Sequence, residues 1–441
     1  MTVARCLSIC LLPGLLSVGC KDADAVIAQP PAPASTAAPA SPPPAPSASA
    51  VASNAVTHPD KLPRVDRVVL LTIDAMRGDQ AWTGYDRAKT PHLSKLAEEA
   101  IVYTRSYSIA NTTGPSISAL LAVRYPTELE RDNCPLAGFT IGEGIGPVLK
   151  AGGVWTAAAH GHAYFDGATA PKGGFVDWRT VENVAGKLAT EGASTGPEVT
   201  ELALALLQAA PADKPAFIWA HYLEPHDKYV YHKDFPPSDT PQRGVYDGEV
   251  SAADHEVGRV IDAIDASPMK DRTAIIISAD HGEAFGEHER YRHGFTVFEE
   301  EVHVPLLVRI PGQNPRRIDT PRSGMDIPRT IAALLGVEPP AHWRGTSLLT
   351  DLRSETPELR PVIVDVPELM NLPAQQAVIL DRHKVAKFGS RWTVYDLEGD
   401  PKEKKPLPKK PNQGLIDRSK AALATIQTVP HKQCTRKAFR N

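Results

Sequence analysis

Apolar residues occur along this chain in two rhythms. Short, continuous β-prone runs alternate with stretches in which apolar positions recur every three or four residues. That alternation predicts a mainly parallel sheet flanked by helices. Val68–Ile73 is such a run and predicts a buried strand. The Ala-rich run Val154–Ala159, then Ala216–Ala220, Ala274–Ile277 and Pro305–Ile310, predict four more. The helical rhythm covers His92–Ala100, Ser116–Ala122, Val199–Gln208, Glu249–Ala266 and Ile327–Leu335, the last stopped by Gly336. Past about Leu352 the rhythm changes to Val362–Val366, Gln376–Leu380, His383–Phe388 and Trp392–Tyr395, which predict short strands. The fold class is thus α/β: a mixed, mostly parallel central sheet with flanking helices and a small C-terminal antiparallel subdomain. The Lys- and Pro-rich stretch after Asp400 is expected to be irregular.

The N-terminus follows neither rhythm. Arg5 precedes an apolar run, Cys6–Val18, too short for a membrane span of about 20 residues. It predicts an export signal. Leu16-Ser17-Val18-Gly19-Cys20 resembles a bacterial lipobox, in which the cysteine becomes the lipidated first residue; an ordinary cleaved signal peptide is the alternative. The Ala, Pro, Ser and Thr of Ala23–Asn54 cannot bury enough surface to offset their ordering entropy, so they predict a tether. The expected organisation is a signal at 1–20, a tether at 21–62, a catalytic domain at 63–351, and a C-terminal subdomain with a basic tail at 352–441. The expected location is outside the cytoplasm, lipid-anchored to a bacterial membrane and facing the periplasm or cell surface.

Composition narrows the function. The 48 Lys and Arg nearly balance 52 Asp and Glu, a net charge of −4 that gives nucleic-acid binding no support. Of five cysteines, Cys6, Cys10 and Cys20 fall in the signal region. Cys134 and Cys434 remain, either as one disulfide clamping the tail to the loop near Asn133, or as two thiols.

Candidate chemistry gathers at strand ends, where open α/β sheets bind ligands. The first strand runs into Asp74, and Ala274–Ile277 runs toward Asp280-His281. Ala216–Ala220 runs into His221 and His226, and Val154–Ala159 into His160 and His162. Asp and neutral His are ligands for Zn²⁺ and related ions. One such histidine is more often a satisfied structural group; four strand ends together point to a shared site. Asp74, Asp280 and His281 are expected to hold one divalent ion. His226 and His293 are expected to hold a second ion or to grip an anionic substrate. Thr113 stands at the expected N-cap of the Ser116–Ala122 helix, with Pro115 in the first turn. It is either a plain cap or a nucleophile, activated by a metal at a helix N-terminus.

These residues occur in an order that resembles the sulfatases of the alkaline phosphatase superfamily. The resemblance runs from about Arg67 to Glu403. It is carried by Val69-Leu70-Leu71-Thr72-Ile73-Asp74, Thr90-Pro91-His92-Leu93, Ala110 to Pro126, and His221-Tyr222-Leu223-Glu224-Pro225-His226. It continues through Ser278-Ala279-Asp280-His281-Gly282-Glu283, Gly286-Glu287-His288, Arg292-His293-Gly294-Phe295 and Val304-Pro305-Leu306-Leu307. It closes on Val394-Tyr395-Asp396-Leu397 with Asp400-Pro401. The resemblance implies metal ligation by Asp74, Asp280 and His281, with Thr113 at the nucleophile position. Departures from the family are informative. Thr113 and Ile117 stand where ordinary sulfatases carry the formylglycine cysteine and an arginine. Ala75 replaces the second residue of an Asp-Asp pair, and His160 or His162 stands in for a sulfate-gripping group. A Thr nucleophile resembles the phosphotransferase and phosphodiesterase branches. The implied reaction is hydrolysis or transfer at a phosphate mono- or diester of a small molecule, lipid or glycan. Thr113, His226 and His293 are its catalytic residues, and the cofactor is one or two divalent ions, Zn first, with Mn, Ca or Mg as alternatives. A sulfatase without formylglycine, or a non-catalytic surface-binding protein, are the competing functions.

Other signals have plainer readings. Gly142–Pro147 is expected to be a loop, and Lys402, Lys404, Lys405, Lys409 and Lys410 a solvated tail. Glu299–Glu301 should cap or flank a helix, Asp254 and His255 should be surface or packing residues, and Glu224 is a candidate for the second metal group. Tyr164–Trp178 and Tyr229–Gln242 are expected to set the substrate.

Overall fold

The computed structural model describes residues 65–134, 138–162, 165, 172–181, 194–237, 241–369 and 372–433. The signal, the lipobox, the whole tether, Cys434 and parts of both substrate loops lie outside the described residues. All described residues belong to one unit, His58–Asn441.

Eight strands form the central sheet. Edge to edge they run Arg316–Ile318, Ile101–Tyr103, Leu306–Arg309, Thr273–Ala279, Arg67–Ile73, Ala216–Tyr222, Trp155–His160 and Asp177–Thr180. The strands from Thr273–Ala279 through Asp177–Thr180 are all mutually parallel. Leu306–Arg309 runs antiparallel to its neighbour Thr273–Ala279.

Arg67–Ile73 lies at the centre because it is buried on both faces. Val68 and Leu70 pack into one core, Val69, Leu71 and Ile73 into the other. This alternation follows from the two-residue period of a strand. Each such buried side chain contributes about 1.5–3 kcal/mol. The first core is closed by the helices Thr113–Ala122, Ile145–Ala151 and Asp326–Leu334. The second is closed by Pro91–Glu99, Gly196–Ala209 and Pro241–Asp265.

Helix Pro91–Glu99 has no side-chain cap from its own N-cap residue, Thr90. Asp254, on the Pro241–Asp265 helix, accepts instead from the amides of His92 (3.1 Å) and Leu93 (2.8 Å). Asp254 is thus a buried packing residue with a specific partner, whereas His255 is exposed. The two helices meet at Gly258, where an added Cβ would lie 2.2 Å from the His92 ring.

Four antiparallel strands, Val362–Val366, Gln375–Leu380, His383–Phe388 and Arg391–Asp396, form the second sheet. Val362, Val364, Ala377 and Ile379 pack on Tyr107, Ala110, Val297 and Val302. The Asp365 amide donates to Ile109 O at 2.8 Å. The small sheet therefore braces the segment that leads to Thr113.

The strand expected at Pro305–Ile310 is found at Leu306–Arg309, and a separate short strand, His303–Val304, precedes Pro305, which has no amide to continue one ladder. Two expectations are corrected. The Gly-rich segment does not remain a loop: Gly144 is the N-cap of a helix, Ile145–Ala151. The basic stretch after Asp400 contains a helix, Gln413–Leu423, because Ile416 packs on Val385 and Val394 of the small sheet. Cys134 is disulfide-bonded. Beside it, Asn133 N donates to Lys432 O at 3.1 Å, so the tail does lie along that loop.

Candidate metal centre

Parallel register brings the chemistry together. Ile73 lies level with Ala279 on one side and Tyr222 on the other, so Asp74 leaves the sheet beside Asp280, with His221, level with Thr72, one layer below. All three are buried.

The Thr113 segment is fixed from two directions. Ser116 Oγ lies 3.0 Å from the Ala110 amide and 3.1 Å from the Ala110 carbonyl. Asn111 donates to Thr296 O (2.7 Å) and to Glu301 Oε2 (3.2 Å). Glu301 also accepts from the amides of Phe295 and Thr296 and from the Thr296 hydroxyl. One buried carboxylate thus ties the Thr113 loop to the loop that carries His293. The N-cap of the helix is Thr112, and Thr113 is its first helical residue, one place later than its sequence position suggested.

Thr113 Oγ1 stands 3.2 Å from Asp74 Oδ2, 3.4 Å from Asp74 Oδ1 and 3.2 Å from His281 Nε2. His281 Nε2 is 3.3 Å from Asp74 Oδ1 and 3.6 Å from Asp280 Oδ2. Nδ1 of His281 lies 2.9 Å from Gly282 O. A carbonyl only accepts, so Nδ1 carries hydrogen, and whenever the ring is neutral it turns a lone pair on Nε2 into the cluster. Ala75 adopts a left-handed φ of 55°. Its amide donates to Asp280 Oδ1 at 3.2 Å, which fixes that carboxylate.

The electrostatics suit a cation. Burial alone would raise Asp74, but His226, His221 and His281 hold it well below the usual carboxylate range. Burial and the Asp74 charge push Asp280 up. Burial opposes charge on His281, yet Asp280 and Asp74 outweigh it and raise its pKa. Asp280 Oδ2 is buried without a hydrogen-bond partner. Donor atoms of Asp74, Asp280 and His281 lie within 4.8 Å of one another. Two acids and a lone-pair imidazole, with one oxygen orphaned, fit a divalent ion.

The other histidines separate. His226 and His293 face each other at 5.1 Å between ring centroids, and His293 lies 4.2 Å from His281. Nδ1 of His293 sits 3.2 Å from Oε1 of the fully buried Glu283. His226 Nδ1 bonds to Asp227 O, which leaves Nε2 as the lone-pair atom of the neutral ring. His162 reaches the cluster, its Nε2 3.8 Å from Asp74 Oδ2, and burial lowers its pKa to about 3. His160 does not reach it. Its ring packs on Phe165 and Trp178, and its Nε2 lies 3.3 Å from Thr180 Oγ1. Glu224 does not join the metal group either. Its Oε1 accepts from Ser194 Oγ (2.6 Å) and the amides of Thr195 (2.6 Å) and Gly196 (2.9 Å). There it satisfies open donors at the start of the Gly196–Ala209 helix. Sequence reasoning missed the roles of Glu283 and Glu301, although both lie inside quoted or noted motifs.

The sulfatase family model matches residues 66–337, and the model for the C-terminal part of N-sulphoglucosamine sulphohydrolase matches residues 286–428. An ulvan-active sulfatase from Formosa agariphila is 25% identical over 346 residues, covering 67% of this chain and 66% of that protein. The chain spans 31% to 66% of the length of the first curated relatives it matches. Among solved structures, Ps i-CgsB in complex with k-i-k-neocarrahexaose superposes with a TM-score of 0.71 at 20% identity, over 85% of this chain and 96% of that one. A phosphonate monoester hydrolase from Agrobacterium radiobacter superposes with a TM-score of 0.66 at 19% identity, over 82% of this chain and 95% of that one.

Proposed function

We propose that this chain, which belongs to the sulfatase family, is a metal-dependent hydrolase of phosphate esters that attacks through Thr113. One observation carries the reading. The Thr113 hydroxyl lies 3.2 Å from both Asp74 Oδ2 and His281 Nε2, at the start of a buried helix, where ordinary sulfatases present a modified cysteine. Ile117, one helical turn on, is buried and apolar, so it offers no charge to a sulfate group.

Asp74, Asp280 and His281 would hold a divalent cation, which would supply charge to lower the hydroxyl pKa and offset charge developing on the ester oxygens. Zinc is favoured by the imidazole donor; manganese, calcium and magnesium are the alternatives. The Thr113 oxygen forms a bond to phosphorus as the bond to the leaving oxygen breaks. Its proton has an acceptor in Asp74 Oδ2. His293, oriented by Glu283, and His226 hold the non-bridging oxygens, and one of them gives a proton to the leaving oxygen. Water then displaces Thr113 from phosphorus, or an acceptor alcohol does so in a transfer.

The relatives' names support a glycan ester as substrate, with lipid and small-molecule esters as alternatives. We place the enzyme outside the cytoplasm, anchored through Cys20. Loss of fatty-acid labelling in Cys20→Ala would support that placement.

Turnover of aryl phosphate, bis-aryl phosphate and aryl sulfate by the full chain tests the reaction. Phosphate esters should be preferred. Faster sulfate turnover would overturn the reading and favour a sulfatase without formylglycine, which the sulfatase relatives support. A folded chain that neither binds metal nor turns over any ester would leave only a surface-binding role.

A further inference from the structure

We infer that the cavity beside Glu224 is a binding site for a primary ammonium group. The inference stands on observations separate from the metal-dependent reading above and does not rest on it.

The cavity measures about 600 Å³. One wall is the segment from Tyr231 to Phe235, and the facing wall is Ala252, Ala253 and Glu256 of the Pro241–Asp265 helix. Ala252 and Ala253 are buried and small, so they leave room where longer side chains would fill it. Gly196 and Glu224 complete the lining. Lys233 and Asp234 stand exposed at its rim with opposite charges.

Glu224 is only 3% exposed. Its Oε1 takes three donors, the Ser194 hydroxyl and the amides of Thr195 and Gly196. Its Oε2 is buried and has no hydrogen-bond partner among the described residues. A Cβ on Gly196 would stand 3.4 Å from both oxygens, so the carboxylate lies directly against the lining at that glycine. Three polar atoms of neighbouring residues are in the same state: Thr195 Oγ1, Glu249 Oε2 and His232 Nε2. His232 Nε2 lies 3.6 Å from Glu249 Oε1. Glu249 and Glu224 both favour the charged form of that imidazole, so negative potential extends across the cavity.

Unanswered oxygens thus outnumber unanswered donors here, and buried acceptors without donors are costly. The matching occupant brings several N–H groups and a positive charge. A primary ammonium has three donors and no acceptor. The aromatic part of the lining suits it as well. The Phe235 and His255 rings meet at 5.8 Å between centroids, with Tyr231 beside them, and such ring faces attract a cation. A metal ion fits less well. Among the described residues, the triplets of ligand atoms that converge within 4.8 Å both include Asp74, and neither includes Glu224, His232 or Glu249.

The test is calorimetric titration of the full chain with n-butylammonium chloride, at an ionic strength held constant with sodium chloride. Saturable binding at one site is expected. Glu224→Gln keeps an oxygen for the three donors but turns the orphan oxygen into an NH₂ group, and affinity should fall by about tenfold or more. Ala252→Leu fills the cavity from the opposite wall and should abolish binding, which keeps the site testable should Glu224→Gln fail to fold. Tetramethylammonium carries the same charge without N–H donors and should bind at least about fivefold more weakly. Absence of saturable butylammonium binding overturns the inference. So do equal binding of tetramethylammonium, unchanged affinity in both variants, or displacement by Ca²⁺, which would mark a metal site instead. None of these outcomes bears on zinc at Asp74 or on turnover through Thr113.

Discussion

Thr72 Oγ1 lies 2.8 Å from Nδ1 of His221, one layer beneath Asp74. The same oxygen is 2.9 Å from Nε1 of Trp219. An indole N–H only donates, so the Thr72 oxygen accepts from Trp219 and its own hydrogen is free for His221. His221 then carries its proton on Nε2, which faces Asp74 Oδ2 at 3.6 Å. The buried chain Trp219–Thr72–His221 thus aims an N–H at one oxygen of Asp74 from below, at a distance longer than a hydrogen bond.

Thr72→Val breaks that chain while keeping the β-branched shape. Zinc affinity should fall about 10–100-fold, as when groups that orient a ligand are removed. Stability should fall by about 1–3 kcal/mol, because the Trp219 N–H loses its partner. Thr72→Ser should restore both. Competition with a chelator measures the first, and an unchanged affinity in the valine variant would remove Thr72 from the account.

Thr113→Ala should lower kcat/KM for aryl phosphates by about 1000-fold or more, with the unfolding midpoint little changed. Thr113→Ser keeps the attacking oxygen and should stay within about tenfold of wild type. Near-normal rates in the alanine variant would refute the nucleophile assignment.

Glu283→Gln should lower kcat by about 10–100-fold without changing bound zinc, because His293 loses the carboxylate that fixes its orientation. The loss should be larger for alkyl than for aryl leaving groups if His293 delivers the proton. Equal losses across leaving groups would assign Glu283 a purely structural part.

Glu249 is buried on the Pro241–Asp265 helix, and burial pushes its pKa from 4.5 up to about 7. Only one of its oxygens is hydrogen-bonded, to the Val230 amide at 2.9 Å. Between those two values the folded chain holds a proton that the unfolded chain has released. Stability should therefore fall as pH rises through this window, by roughly 3 kcal/mol in total. Glu249→Gln should show a shallower decline in urea unfolding between pH 5 and pH 7. Identical slopes in the two proteins would show that Glu249 does not titrate there.

Much of this was legible in the chain itself. Val68–Ile73 has no polar interruption except Thr72, and a run buried on both faces leaves few alternatives to a central strand. The order of Asp74, Thr113, Asp280 and His281 then placed the cluster. What sequence left open depended on where strands end. His160 and His162 are two residues apart, and only the register of Trp155–His160 against Ala216–Tyr222 turns one into an aromatic pocket and the other toward Asp74. Glu224 sits two residues before His226, yet its partners are amides some thirty residues upstream in the sequence. The Gln413–Leu423 helix follows Asn412, a preferred N-cap residue whose side chain makes no cap hydrogen bond, and its apolar face has meaning only once the small sheet exists. Long-range partners of this kind leave no local trace.

The Asp254 cap on Pro91–Glu99 has a consequence during synthesis. A nine-residue helix is marginal in water by itself, and its first amides find their acceptor more than 160 residues later. The neighbours of Arg67–Ile73 in the sheet, Ala216–Tyr222 and Thr273–Ala279, also arrive late. A ribosome must therefore release well over half the protein before its early segments acquire lasting shape. Until then the nascent chain offers a holding chaperone an open polypeptide.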